Sequence, residues 1–185
     1  MKKEDIRRRI KARKCILTDS EALEAADRVF AQLERTAAFM LADKILIYHS
    51  LPDELSTRAF LDRWHSRKQF YLPRVNGVNL DILPYDSTRL HIGAFNIEEP
   101  IGDDVTDIDE IELMVVPGIA YDRNGNRVGR GKGYYDRLLA ETHAVKIGVG
   151  YDFQLIDDDI DAELHDVKVD IIITESRHIP IKHRR

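Results

Sequence analysis

The sequence predicts an α/β fold, three layers deep, with helices on both faces of a mostly parallel sheet. Three observations lead there. Strand-like and helix-like segments alternate along the chain, as in architectures that cover both faces of a sheet. One segment, IELMVVP, is a nearly continuous apolar run, as suits a parallel strand buried on both sides. A glycine-rich stretch then leads from that strand towards a helix, and in open α/β sheets ligands sit beyond the carboxyl ends of the strands.

The elements follow in order. Ile6 and Ile10 lie one helical turn apart among cations and mark a first helix. Thr18-Asp19-Ser20-Glu21 matches a capping box, with the threonine accepting from the helix start and the glutamate reaching back. Leu23, Ala26, Phe30, Leu33 and Ala37 then recur at three and four residues, a stripe that faces a core. KILIYHS reads as a strand, LPDELS as a loop and TRAFLDRWHS as a helix. QFYLPRV and VNLDILPY are strand-like, the second alternating every other residue. After IELMVVP and the glycine-rich stretch come a helix, YYDRLLAET, and two strands, AVKIGVGY and VDIIITE. No repeat, low-complexity tract or Gly/Ser linker divides the chain, so residues 1–185 are expected to form one domain.

Hydrophobic residues at 43% and charged residues at 33% fit an ordinary globular chain and exclude disorder. No apolar run approaches the ~18 residues of a membrane span. The basic start lacks the apolar core of a secretory signal, and Glu4 and Asp5 interrupt it as a presequence, so cytoplasm is the expected location. The single cysteine, Cys15, excludes an intramolecular disulfide and is expected to be half-buried on a helix. The seven histidines show no paired ligand spacing, so no zinc site is expected. The net charge of −5 is unevenly spread: residues 2–14 carry eight Lys/Arg, whereas residues 98–112 carry eight acids and no Lys/Arg. The acidic stretch is expected to be a solvated surface connection.

The chemistry concentrates between Pro117 and Asp136, PGIAYDRNGNRVGRGKGYYD. Gly125, Gly129, Gly131 and Gly133 precede a predicted helix start. Without Cβ atoms, successive N–H groups can approach an anion, and the helix N-terminus adds free N–H groups and the positive end of its dipole. Arg127, Arg130 and Lys132 interleave three cations with these glycines. The spacing is neither a Walker A loop nor G-x-G-x-x-G. Asp136, in the first turn of the helix, complements the dipole and is also a candidate Mg²⁺ ligand, because Mg²⁺ is usually held by one or two carboxylates plus substrate phosphates. Asp166 and Asp170, in LHDVKVD, both offer a second carboxylate, and spacing does not choose between them.

The segment VVPGIAYDRNGNRVGRGKGYYDRLL resembles the signature of the 5-formyltetrahydrofolate cyclo-ligase (methenyltetrahydrofolate synthetase) family. Lys3 and Arg7 fit the family's opening Lys-x-x-x-Arg, HSLPDELST its substrate loop and HDVKVDIIITE its last strand, so the resemblance covers nearly the whole chain. It implies a fold similar to the sugar-isomerase and CoA-transferase group. It also implies conversion of 5-formyltetrahydrofolate to 5,10-methenyltetrahydrofolate with hydrolysis of MgATP to ADP and phosphate, through an iminium phosphate. On this resemblance Lys3, Arg7, Arg127, Gly129, Arg130, Gly131, Lys132, Gly133, Tyr134 and Tyr135 hold ATP. His49, Glu54, Arg130 and Tyr134 meet the folate; Arg130, Lys132 and Tyr134 serve catalysis; Asp136 and Asp166 bind the metal. Phe95 stands where the family tends to place a large aromatic, and Tyr121 replaces a frequent phenylalanine. The partners implied are 5-formyltetrahydrofolate and MgATP, with no nucleic acid or membrane, and a monomer is expected.

Two other readings stand beside this one. A paralogue of the same fold would keep the nucleotide loop and act on another substrate. A nucleic-acid-binding module would use residues 2–14 and the tail KHRR, but the chain is acidic overall and no aromatics interleave with the basic run.

Overall fold

The computed structural model describes residues 1–183; Arg184 and Arg185, the end of the basic tail, lie outside the described residues. Three helices, α1 (Lys3–Cys15), α2 (Asp19–Leu33) and α3 (Ala37–Leu41), precede strand β1 (Lys44–Ile47). Helix α4 (Arg58–Trp64) crosses over to β2 (Gln69–Asn76), which turns back as β3 (Asn79–Pro84). A short ribbon of β4 (Leu90–Ile92) and β5 (Glu98–Pro100) comes before β6 (Leu113–Val116). The chain then makes a hairpin, β7 (Ala120–Asp122) and β8 (Arg127–Val128), and enters α5 (Tyr134–Glu141). It finishes through β9 (Val145–Val149), β10 (Leu155–Ile156), β11 (Ile171–Ile173) and β12 (His178–Pro180).

Among the described residues the main sheet has seven strands in the order β12-β11-β9-β6-β1-β2-β3. The strands from β11 to β2 are parallel, and only the edge strands β12 and β3 run antiparallel. The expected α/β architecture with a mostly parallel sheet is therefore present. Its central strands are apolar throughout because both faces are covered. Leu113 and Val115 of β6, with Ile45 and Ile47 of β1, face the cluster packed by α2, α3 and α4. Met114 and Val116, with Leu46, face the cluster that holds Leu138 and Leu139 of α5. Each fully buried side chain of this kind contributes roughly 1.5–3 kcal/mol. Ile6 and Ile10 seat α1 in a third cluster, with Ala120, Val128 and Ile156 of the small β10-β7-β8 sheet.

The capping box at Thr18 forms in full: Thr18 accepts from the Glu21 N–H, and the Glu21 carboxylate accepts from the Thr18 N–H. Ala26, Phe30 and Leu33 of α2 are buried as expected, and Ala25 and Val29 join them, while Leu23 is 60% exposed. The helix ends at Leu33, so Ala37 belongs to α3 and is exposed there. Cys15, expected half-buried, is exposed at the end of α1, where the helix leaves the small sheet. The acidic stretch is not solvated throughout. Glu99 is 3% exposed and accepts from the N–H groups of Val75, at 2.5 Å, and Ala94, at 2.8 Å, which ties the β4–β5 ribbon to β2. Tyr121 is fully buried, and its hydroxyl donates to the Val116 carbonyl at 2.8 Å. Among the described residues no helix is long and apolar enough to cross a membrane.

Candidate active site

Strand order locates the site. From β1 the chain moves to β2 on one side, whereas β6, on the other side of β1, leads on to β9. The loops leaving the carboxyl ends of β1 and β6 therefore diverge and leave a crevice between them, the usual ligand position in open α/β sheets. A cavity of about 830 Å³ opens there, within the range of small-molecule sites. Tyr48, His49 and Glu54, after β1, line one side, and Pro117, Gly118 and Ile119, after β6, line another.

The glycine loop forms a third wall. Gly131 (φ +97°) and Gly133 (φ +73°) adopt backbone that side chains disfavour, and Gly133 caps α5. Gly129, Arg130, Lys132, Tyr134 and Tyr135 share this wall. Arg127 is buried. Its Nη1 donates to the Pro117 carbonyl at 3.0 Å, and its Nη2 lies 3.4 Å from Asp136. Its Nε is buried and finds no acceptor among the described residues, so this guanidinium retains unused donor capacity. The two tyrosines that open α5 divide: Tyr135 packs inward under Arg127, and Tyr134 stands against Phe95, its hydroxyl donating to the Gly77 carbonyl at 3.3 Å. Phe95 is 57% exposed on the cavity rim, with Lys132 5.5 Å from its ring centroid.

Helix α1 closes the remaining side. Lys3, Arg7 and Lys14 turn towards the cavity. Arg7 Nε donates to the Gly129 carbonyl at 2.8 Å, and Lys3 Nζ lies 2.6 Å from Asp166. Other cations of the basic run are spent on neighbouring acids, Arg8 on Asp5 and Arg9 on Asp158. Burial alone would lower the Lys3 ammonium, but hydrogen bonds and charge from Asp166 and Glu163 hold it above its ordinary value. Burial alone would raise Asp166, but Lys3 and the Glu163 N–H hold that carboxyl below its ordinary value. Asp170, the alternative carboxylate, is engaged elsewhere. It accepts from the Lys146 N–H at 2.8 Å and pairs with His183 at 2.7 Å at the sheet end.

On the β1 side, burial pushes the Glu54 carboxyl above its ordinary value, against the opposing pull of the Leu51 N–H and Arg130. His49 Nδ1 lies 2.8 Å from Glu98 Oε2, while burial first, and then Arg58, lower its ring below the usual value. A neutral His49 donating to a carboxylate that can only accept carries its proton on Nδ1 and leaves Nε2 as an acceptor. Of the residues singled out from the sequence as ligand or catalytic candidates, all line this one cavity except Asp170 and Gly125, whose N–H closes the β7–β8 turn on the Asp122 carbonyl. Lys14, Glu98 and Glu163 line it too and were not foreseen, since charged side chains scattered over a helix and two acidic stretches carry no spacing signal.

The 5-formyltetrahydrofolate cyclo-ligase family profile matches residues 1–175. The chain is 26% identical over 178 residues to 5-formyltetrahydrofolate cyclo-ligase of Escherichia coli K12, covering 91% of this chain and 97% of that one. It is also 26% identical over 190 residues to the Mus musculus enzyme of the same name, covering 94% and 93%. The solved structure of Aquifex aeolicus 5,10-methenyltetrahydrofolate synthetase superposes with a TM-score of 0.89 at 28% identity, covering 99% of this chain and 94% of that one.

Proposed function

The chain belongs to the 5-formyltetrahydrofolate cyclo-ligase family, and we propose that the cavity beyond β1 and β6 holds both the folate and ATP, with the glycine loop between them. The reaction converts 5-formyltetrahydrofolate to 5,10-methenyltetrahydrofolate. The observation that supports the proposal best is the meeting, in one crevice, of a cation-rich glycine loop at a helix N-terminus and the half-buried carboxylate of Glu54. The first suits a polyphosphate and the second an aminopyrimidine edge.

A formamide carbon is a weak electrophile and its oxygen a poor leaving group. In the proposed course the formyl oxygen attacks the γ-phosphorus and ADP departs, leaving an iminium phosphate. N10 then attacks the formyl carbon and releases its proton to solvent, and phosphate leaves with the formyl oxygen as the ring closes. No covalent nucleophile from the protein is required, so its tasks are positioning and charge stabilisation. Arg130 and Lys132 face the phosphoryl group in transfer, with Tyr134 beside them, and Lys3, Arg7, Arg127, Gly129, Gly131, Gly133 and Tyr135 surround the rest of the triphosphate. Glu54 accepts the pterin's N–H groups, with His49 nearby as an acceptor, and Phe95 offers a ring face on the rim.

Asp136 and Asp166 provide two hard oxygen donors to the same cavity, which fits Mg²⁺ held chiefly through substrate phosphates. Among the described residues no group of three or more His, Cys, Asp or Glu could hold a metal by itself, as that mode of binding needs none. Mg²⁺ bound there would neutralise charge on the phosphate oxygens. We take residues 1–185 to be one domain working as a cytoplasmic monomer without nucleic acid or membrane. The inward use of Lys3, Arg7 and Lys14 supports this against a nucleic-acid arm. Incubation with MgATP and 5-formyltetrahydrofolate tests the proposal: methenyl absorbance should rise only when ATP is present. A chain that turns over ATP with another substrate, and not with this one, would be a paralogue instead.

A further inference from the structure

The loop after β1 carries two adjacent carboxylates in different surroundings. The Glu54 side chain is 15% exposed and lines the cavity, whereas that of Asp53 is 49% exposed. One guanidinium faces both. Arg130 Nη2 lies 2.9 Å from Asp53 Oδ1 and 3.7 Å from Glu54 Oε2. Lys14, in the last turn of α1, approaches the other Asp53 oxygen at 4.0 Å. Asp53 thus sits between cations from two separate elements, and Arg130 lies closer to it than to Glu54.

As an exposed ion pair this contact adds little to folding. Its consequence falls on Glu54. Glu54 Oε1 already accepts from the Leu51 N–H at 2.9 Å, so Oε2 is the oxygen left for a ligand. A guanidinium released from Asp53 would close onto Oε2, because a charge-assisted hydrogen bond strengthens where water is excluded. The carboxylate would then have no free edge for an incoming ring.

We propose that Asp53 is a positioning residue for folate capture: by retaining Arg130, with Lys14 alongside, it keeps the outer oxygen of Glu54 open for the pterin. The proposal rests on Glu54 being the pterin acceptor. It also carries an order of events. Triphosphate arriving at the glycine loop attracts Arg130 itself, so Asp53 matters most before nucleotide binds.

The test is direct binding of 5-formyltetrahydrofolate, with and without a non-hydrolysable ATP analogue plus Mg²⁺, to wild type, Asp53→Asn, Asp53→Glu and Glu54→Gln. Without nucleotide, Asp53→Asn should weaken binding roughly five- to tenfold, the cost of breaking a new charge-assisted pair. With the analogue, its loss should shrink to within about twofold, since phosphate now retains the guanidinium. Asp53→Glu should recover most of the affinity, and thermal midpoints should stay near wild type. Wild-type binding by Asp53→Asn, or an equal loss with and without the analogue, would overturn the proposal while an impaired Glu54→Gln left the Glu54 reading standing. Wild-type binding by Glu54→Gln would overturn both.

Discussion

Lys3 Nζ stands 2.6 Å from Asp166 Oδ2, joining residues 163 positions apart in the chain. The contact closes the start of α1 onto the loop before β11, beside the glycine loop that Arg7 also grips. Because the side chains are only 17% and 8% exposed, the pair is better shielded than the surface ion pairs around it.

Lys3→Met should therefore lower stability at pH 7 by about 1–2 kcal/mol, the cost of leaving a half-buried carboxylate short of a partner. Asp166 is held below its ordinary value, so its contribution is present above the unfolded carboxyl's pKa and is lost as pH falls through the lower folded one. Denaturant unfolding of both proteins over an acid pH series checks this. The gap between them should close at the acid end.

The same pair bears on Mg²⁺. Lys3 occupies Asp166, and Arg127 lies 3.4 Å from Asp136, so a cation already faces each proposed metal ligand. Mg²⁺ alone should leave the thermal midpoint unchanged, whereas MgATP, which brings phosphates for Lys3 and Arg127, should raise it. An equal shift from Mg²⁺ without nucleotide would contradict the shared site.

Glu54→Gln should separate stability from function. Burial raises this carboxyl's pKa, so the folded state holds the proton more tightly than the unfolded state. Ionisation therefore costs stability as pH rises through that window. The amide removes this cost, and the midpoint at pH 7 should rise or hold. Folate KM should increase about tenfold as a charge-assisted acceptor is lost, with the KM for ATP unchanged. In wild type, folate affinity should fall on acidification through the raised pKa.

Lys132→Ala should reduce kcat about 10²–10³-fold at saturating ATP, as expected for a group that stabilises charge developing in the transition state. Folate binding should change far less. Steady-state kinetics with each substrate varied provide the check, and unchanged turnover would remove Lys132 from the chemistry.

Much of this was legible in the sequence because its signals are local. The Thr18–Glu21 capping box, the apolar run of β6 and the glycines before α5 each declare a backbone state within a few residues. Contacts between distant segments have no such signature. Glu99 reads as one acid in an acidic stretch, yet it is buried, because the Val75 N–H of β2 meets it together with the Ala94 N–H of its own ribbon. The helical periodicity of α2 was visible in Ala26, Phe30 and Leu33, but the extent of its buried face was set by the sheet beneath, which also buries Ala25 and Val29 and leaves Leu23 outside. Asp53 and Lys14 carry no pattern at all; only the fold brings them to Arg130. The choice between Asp166 and Asp170, open from spacing, is separated in space by geometry: one lines the cavity and the other holds Lys146 and His183.

The central claim is that one site brings the γ-phosphate of ATP against the formyl oxygen of the folate. Its most direct test supplies 5-formyltetrahydrofolate labelled with oxygen-18 in the formyl group and, after turnover with MgATP, determines by mass spectrometry where the label resides. Transfer of the label into inorganic phosphate, one atom per methenyl product, is the predicted result. Label released into water, with unlabelled phosphate, would contradict it.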